Sequence, residues 1–513
     1  MRDGAQDRTS TGRRRIGTLA LATVLLVSLV APVASAATHA GKRPGAEADV
    51  SDVQLSVMPE GAGIPQRSAT AIDARAPLPE GYVETEYLFE STAIVYAGPV
   101  TGRVTEDSDG NAFATRLLVR APAEKADFSG SVWVEPMNTT GGGDFDVIWA
   151  QIQPLIAERG DAWVGVTVRA RQTTLLKELD PVRYADINLT ENEFGWDILR
   201  QVGTLLKAKN AANPIGELRA KHIYMGGYSQ SAVDTATFVS AIHDLTRLGN
   251  GAPVYDGYII GGRQSNLSPL QSGDSVVPDF EHGVIEGVDV PVVDYEAQAD
   301  VEGFTIEVPT ALAVDSGLEG AEDITTPTFD YVTPGGATVR RPDSNKRRDH
   351  YRGWEIAGAS HGTGAGAGCI GGSSFPIGAF GRAAASNLAT WAEDATAPPR
   401  GDRIELAVQG DVSESAVDDL GITLGGVRSP FVDVPLSTYV VHSGPGPYCK
   451  LVGIETFLAP DVLTERYGTV EQYMREFTKS LDATIKAGFL LKIDRQAILD
   501  EQQVRADEAF GAA

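Results

Sequence analysis

Hydrophobic positions along this chain fall into two alternating kinds of segment. Short apolar runs, each bounded by turn residues, alternate with longer segments in which apolar positions recur every three or four residues. Tyr82 to Phe89, Ala114 to Val119 and Gly130 to Glu135 read as strands. A helical pattern from Phe145 to Ala157 follows, then the continuous apolar run Ala162 to Val168, which predicts a strand buried on both faces. Trp196 to Lys207 is helical, with Ile198, Val202, Leu205 and Leu206 on one face. His222 to Met225 predicts the next strand. A helix to about Leu245 comes after it, with Ala232, Ala236, Val239 and Ile242 spaced for burial. Tyr258 to Ile260, Val290 to Val293 and Trp354 to Ala357 read as further strands, and Gly381 to Ala392 as a helix stopped by Pro398-Pro399. Strands that alternate with helices predict an α/β protein, with a mostly parallel sheet and helices on both faces. In such sheets ligands bind at the carboxyl ends of the strands.

The two ends of the chain read differently. Arg13-Arg14-Arg15, the apolar stretch Ile16 to Val30 and Ala34-Ser35-Ala36 form the pattern of an export signal, residues 1–36, cleaved before Ala37. The apolar stretch is short for a membrane span, and no later segment is long and apolar enough for one. The expectation is therefore a secreted, extracytoplasmic protein with no membrane span in the mature chain. Residues 37–80 are rich in Ala, Gly and Pro without periodicity and read as an irregular linker. Residues 81–400 carry the α/β pattern. Residues 401–513 are less regular, with a strand-like Ser437 to Val441 and a helix over Val470 to Ala487, and read as a C-terminal extension packed on the core.

Composition narrows the possibilities further. The net charge of −26 repels phosphate backbones and argues against nucleic-acid binding. The only two cysteines, Cys369 and Cys449, lie in no metal-ligand pattern. In an oxidising compartment they are expected to form a disulfide; two buried free thiols are the other reading.

The strongest chemical signal is Gly226-Gly227-Tyr228-Ser229-Gln230-Ser231-Ala232, set between a strand and a helix. A tight strand-to-helix turn of this kind exposes a serine hydroxyl as a nucleophile, with the helix N-terminus behind it. The usual pattern is Gly-x-Ser-x-Gly; here the last position is Ser231. The plain alternative is a serine capping an ordinary helix.

Other segments accompany this turn in a fixed order: Val134 to Asn138, Gly160 to Val166, Leu179 to Tyr184, Trp196-Asp197-Ile198, Val290 to Asp300, Trp354 to His361, Ala397-Pro398-Pro399 and Leu424 to Pro430. Together they resemble bacterial alpha/beta-hydrolase-domain proteins with a Gly-x-Ser-Gln-Ser nucleophile turn. The resemblance implies the alpha/beta-hydrolase fold and carboxylic ester hydrolysis.

That fold orders its triad Ser, acid, His. His39, His222, His243 and His282 come too early, and His350 lies in a charged stretch. His361, before Gly362-Thr363-Gly364, is the expected base, with His442 as fallback. Imidazole can take the serine proton and later return it to the leaving group. Asp300 is the expected acid, with Glu296, Asp315 and Glu319 as alternatives, because Gln298 stands where the resembling proteins have a glutamate. The oxyanion hole is expected from the Gln230 N–H and the Asn138 to Gly143 loop, Asn138 and Thr139 in particular.

Two further motifs are set aside. Gly366 to Gly371 matches G-x-G-x-x-G without following a strand, and Asp107 to Gly110 matches only a fragment of a calcium loop. No metal and no cofactor are expected, and the partner is a small-molecule ester. A non-catalytic binding module, or a peptidase or acyltransferase using the same serine, are the competing functions.

Overall fold

The computed structural model describes residues 47–61, 76–140, 143–264, 266–271, 277–278, 285–303, 340–365, 369–408, 413–444 and 448–511. The export signal, much of the linker and Gly366 to Gly368 lie outside these residues.

Among the described residues ten strands form the main sheet: β1 (Gln54–Val57), β2 (Tyr82–Ala97), β3 (Thr105–Pro122), β4 (Ser131–Pro136), β5 (Ala162–Val166), β6 (His222–Tyr228), β7 (Gly257–Gly261), β8 (Val292–Ala297), β9 (Ser344–Lys346) and β10 (Asp349–Ile356). Their order is β1-β2-β3-β5-β4-β6-β7-β8-β10-β9. From β5 across to β10 every pairing is parallel; the outer pairings are antiparallel. Every residue of β4, β5 and β7 is buried, as strands covered on both faces must be.

Alternate residues divide between two cores. Val132, Val134, Ile223, Met225, Tyr258 and Ile260 pack on one face with α3 (Phe194–Lys207) and α4 (Gln230–Thr237). Trp133, Tyr224, Ile259, Val293 and Tyr295 face the other way. They pack under α1 (Val147–Arg159) and α6 (Ile377–Asp394), the latter lying later in the chain than α2 (Ala170–Leu179) and α5 (Gln298–Glu302).

Two differences from the sequence reading concern the strands. A strand, β1, lies within the segment read as linker. Its own residues are mostly exposed, and only flanking Val53 and Met58 are buried, so it shows no alternation to read. The hairpin β2–β3 is also longer than expected, because its outer part, Thr105 to Gly110, is polar and exposed. Asp107 to Gly110 therefore lies inside a strand, with Gly110 at positive φ beside an irregular register.

The C-terminal residues complete the second core. Phe431, Leu463, Phe477 and Leu481 join the same apolar cluster as Trp354, Ile377 and Phe380. Contacts gather the residues from Arg43 onward into one compact unit. This region includes the hairpin β11 (Ser437–Val440) with β12 (Ile454–Phe457) and the helices α7 (Pro460–Tyr467), α8 (Val470–Ala487) and α9 (Arg495–Ala509). Among the described residues no helix is long and apolar enough to cross a membrane.

The carboxyl ends of β4, β6, β8 and β10 all open toward one edge of the sheet. The loop from Met137, Ser229, Asp300 and His361 follow these strands respectively.

Candidate active site

Strand β6 ends at Tyr228 and α4 begins at Gln230, which leaves Ser229 alone in the turn with φ 61° and ψ −128°. A non-glycine residue there stores roughly 1–3 kcal/mol of strain, tolerated only where surrounding contacts overdetermine it. Those contacts are visible. The Ser229 N–H donates to the Gly261 carbonyl at 2.8 Å. A Cβ on Gly227 would lie 2.2 Å from the Ser231 carbonyl oxygen, so only glycine lets the helix fold back this closely. Ser231, the departure from the usual pattern, is fully buried, and its hydroxyl sits 3.1 Å from both the N–H and the carbonyl of Tyr228. Its side chain staples the turn that a glycine would only permit. Ser229 itself stays half-buried, within reach of solvent.

The expected base and acid meet. His361 Nδ1 lies 2.6 Å from Asp300 Oδ1, and both side chains are buried. Asp300 stands in the first turn of α5, where its other oxygen accepts the Ala297 N–H at 2.9 Å. An N–H donated from Nδ1 to this carboxylate leaves Nε2 as the acceptor nitrogen. The hydroxyl of Tyr228, the residue just before the serine, donates to the His361 carbonyl at 2.5 Å, and the two rings lie 5.0 Å apart. Burial pushes the Tyr228 phenol well above its ordinary pKa, so it remains a donor.

The other candidates stand elsewhere. Glu296 accepts the Arg263 N–H at 3.3 Å, and burial holds its carboxyl well above the usual range, with Asp294 and Asp300 adding to the effect. Gln298 is a strut: its side-chain Oε1 accepts the Gly358 N–H at 2.8 Å and the Thr423 hydroxyl at 2.7 Å. Asp315 and Glu319 lie outside the described residues. His350 packs on Trp391 with ring centroids 5.5 Å apart, and His442 Nδ1 donates to the Lys450 carbonyl at 2.9 Å.

The Asn138 loop departs in detail from the geometry expected of an oxyanion hole. Gln230 heads α4, where N–H groups lack intrahelical acceptors. The Asn138 N–H, however, donates to the Phe145 carbonyl at 2.9 Å, in an isolated antiparallel bridge that closes the loop. The Thr139 N–H donates to Gln230 Oε1 at 3.0 Å, and its hydroxyl to the same oxygen at 3.2 Å. Neither main-chain donor is directed at an open site, because loop closure uses the first and the Gln230 carboxamide the second. The carboxamide is itself held from behind: its nitrogen donates to Asp234 at 2.6 Å, and Asp234 pairs with Arg169. At the far end of the loop, Arg120 lies over the rings of both Trp149 and Trp163, at 4.4 and 4.5 Å, and pairs with Asp146 at 2.6 Å. The motif reading missed the roles of Tyr228 and of the Gln230 side chain. The only signal for either is adjacency to the serine.

A cavity of about 1180 Å³ opens beside His361. Phe145, Val147, Tyr228, Ile377 and Phe457 supply apolar wall; Glu501 and Arg505 of α9 supply part of its polar side. Among the described residues no group of three or more His, Cys, Asp or Glu side chains is arranged to hold a metal.

Residues 53–500 match the family described as alpha/beta hydrolase domain. The chain belongs to this family. The match runs from β1 into α9, so the C-terminal region is part of the family's domain. No curated protein sequence matches the chain. Solved structures with similarity include the esterase Est22, at 15% identity over 44% of this chain and 66% of that one, with TM-score 0.26. An alpha-beta serine hydrolase homologue from Coxiella burnetii matches at 12% identity over 40% and 73%, with TM-score 0.23. LpqC, a poly(3-hydroxybutyrate) depolymerase from Bordetella parapertussis, matches at 11% identity over 62% and 91%, with TM-score 0.30.

Proposed function

We propose that this alpha/beta-hydrolase-domain protein is a secreted serine hydrolase that cleaves carboxylic esters through an acyl-enzyme. The observation that carries the reading is the 2.6 Å contact between His361 Nδ1 and Asp300 Oδ1; a serine held at φ 61° in the turn after β6 supplies the nucleophile. Ser229 Oγ attacks the ester carbonyl while His361 Nε2 takes its proton. The imidazolium then protonates the departing alkoxide, and water enters by the same route to release the acid. Asp300 holds the tautomer and stabilises the imidazolium. The Gln230 N–H is one oxyanion donor. The Thr139 N–H becomes the second by exchanging Gln230 Oε1 for the substrate oxygen.

The cavity volume exceeds the ordinary ligand-pocket range of about 300–1,000 Å³, which favours a bulky ester. The Cys369–Cys449 disulfide supports an oxidising, extracytoplasmic location, as does the N-terminal signal pattern. A fluorophosphonate probe tests the chemistry: the wild type labels, and Ser229→Ala neither labels nor turns over an aryl ester. Labelling of the variant rejects the nucleophile.

One observation favours a second reading. With Thr139 held by the Gln230 carboxamide, a protein that never releases it is a binding module, and its wild type does not label.

A further inference from the structure

His361 is followed by the glycine-rich stretch Gly362-Thr363-Gly364, whose backbone has little intrinsic stiffness, although Gly364 and Ala365 pair antiparallel with Ser373 and Gly372. Its two sides are nevertheless tied to one segment of the C-terminal region. On the near side, the Gly362 N–H donates to the Leu451 carbonyl at 2.7 Å, and Gly362 forms a parallel bridge with Val452. The next residue along, Gly453, approaches Ser360 so closely that a Cβ would lie 2.1 Å from its hydroxyl. On the far side, Cys369 is bonded to Cys449, which is buried. The anchoring segment is itself held: the N–H and hydroxyl of Ser443 donate to the Cys449 carbonyl at 2.8 and 2.9 Å.

We propose that the Cys369–Cys449 disulfide is a positioning clamp for the base. It fixes the 449–453 segment against the chain on both sides of His361, and breaking it lowers turnover while the sheet stays folded. The proposal rests on the reading of His361 as general base. The contacts from Asp300 and Tyr228 hold the imidazole and the His361 carbonyl, but neither restrains the glycine stretch that follows. The clamped residues lie outside the parallel sheet, so their release does not unpair its strands. A dithiol reductant opens the clamp by supplying two electrons and two protons: the S–S bond breaks, both cysteines become thiols, and the dithiol closes to its own disulfide.

The test compares the full-length wild type, oxidised and reduced, with Cys369→Ser/Cys449→Ser. It follows ester turnover, the rate of fluorophosphonate labelling, and hydrogen exchange at the Gly362 amide. Misplacing a catalytic group by about 1 Å costs up to about 100-fold in rate. The expected result is a fall in kcat and in labelling rate of about tenfold or more, with KM within about twofold, faster exchange at Gly362 and an unchanged far-UV spectrum. Gly453→Ala, with the disulfide intact, reproduces the loss in kcat. A purely stabilising disulfide lowers the melting temperature and leaves kcat unmoved; that result, or unchanged protection of Gly362 on reduction, overturns the clamp. If the double variant fails to fold, reduction of the folded wild type, followed by thiol titration, gives the same readings. If the oxidised wild type never labels, the hydrolase reading has failed, and exchange at Gly362 still decides whether the clamp exists.

Discussion

The Tyr228 hydroxyl donates to the main-chain carbonyl of His361 at 2.5 Å, so the residue that precedes the serine also holds the backbone of the proposed base. Loop and elbow are thereby registered through one bond. Tyr228→Phe keeps the ring packing against the imidazole and removes only this bond. A neutral hydrogen bond contributes about 0.5–1.5 kcal/mol, so kcat on an aryl ester is expected to fall about two- to tenfold with KM little changed. Unchanged kinetics would show that the loop is registered without it.

Gly262 controls the space beside the imidazole and the Tyr228 ring. Its φ is +64°, and a Cβ there would lie 2.9 Å from His361 Cε1 and 3.1 Å from Nδ1. Gly262→Ala is expected to displace the ring from Asp300 and lower kcat by about tenfold or more. Parallel measurement of circular dichroism separates this from unfolding.

Asp300→Asn removes the charge that selects the imidazole tautomer while nearly preserving shape. A loss in kcat of roughly 10⁴-fold is expected of a triad acid. A loss of less than about tenfold would assign the acid's role to a different carboxylate.

Ser231 replaces a glycine of the common pattern, yet reverting it is expected to harm the protein. Ser231→Gly loses the staple to Tyr228 and adds backbone freedom to the first turn of α4, together about 1–2 kcal/mol of stability. Chemical denaturation measures this, with Ser231→Ala reporting the hydrogen bonds alone.

Glu296 predicts a pH dependence of stability. Burial, with Asp294 and Asp300 adding to it and Arg263 opposing, raises its folded-state pKa above the unfolded value of about 4.3. The folded protein therefore holds this proton more tightly. The associated stability is full below the unfolded pKa and is lost as pH rises through the folded value. Glu296→Gln removes the titration, so denaturation midpoints of the variant fall less than those of the wild type as pH increases from about 5. Parallel pH profiles for the two proteins would contradict the assignment.

Much of this molecule was legible along the chain. The alternation of buried runs with helical stripes specifies a parallel sheet, because only strands covered on both faces need such runs. Helix α8 was readable from the stripe Tyr473, Phe477, Leu481. Helix α9 was not, because its inward residues include Gln502, Ala506 and Ala509, and an amide that buries itself by donating to Tyr473 looks polar in sequence. For the same reason β1 was hidden, since its stability comes from edge pairing with β2 and not from its own side chains.

At the site, local chemistry and chain order were enough to nominate Ser229, Asp300 and His361. A serine between strand and helix is a property of neighbouring residues, and those are present in the string. Which N–H groups are spent on closing the Asn138 loop, and that the Gln230 carboxamide occupies Thr139, depend on groups brought together from distant strands. The same holds for the contact of residues 449–453 with the His361 loop. A hydrogen bond is satisfied by whatever acceptor the fold delivers within about 3 Å, and only the packed tertiary structure determines that choice.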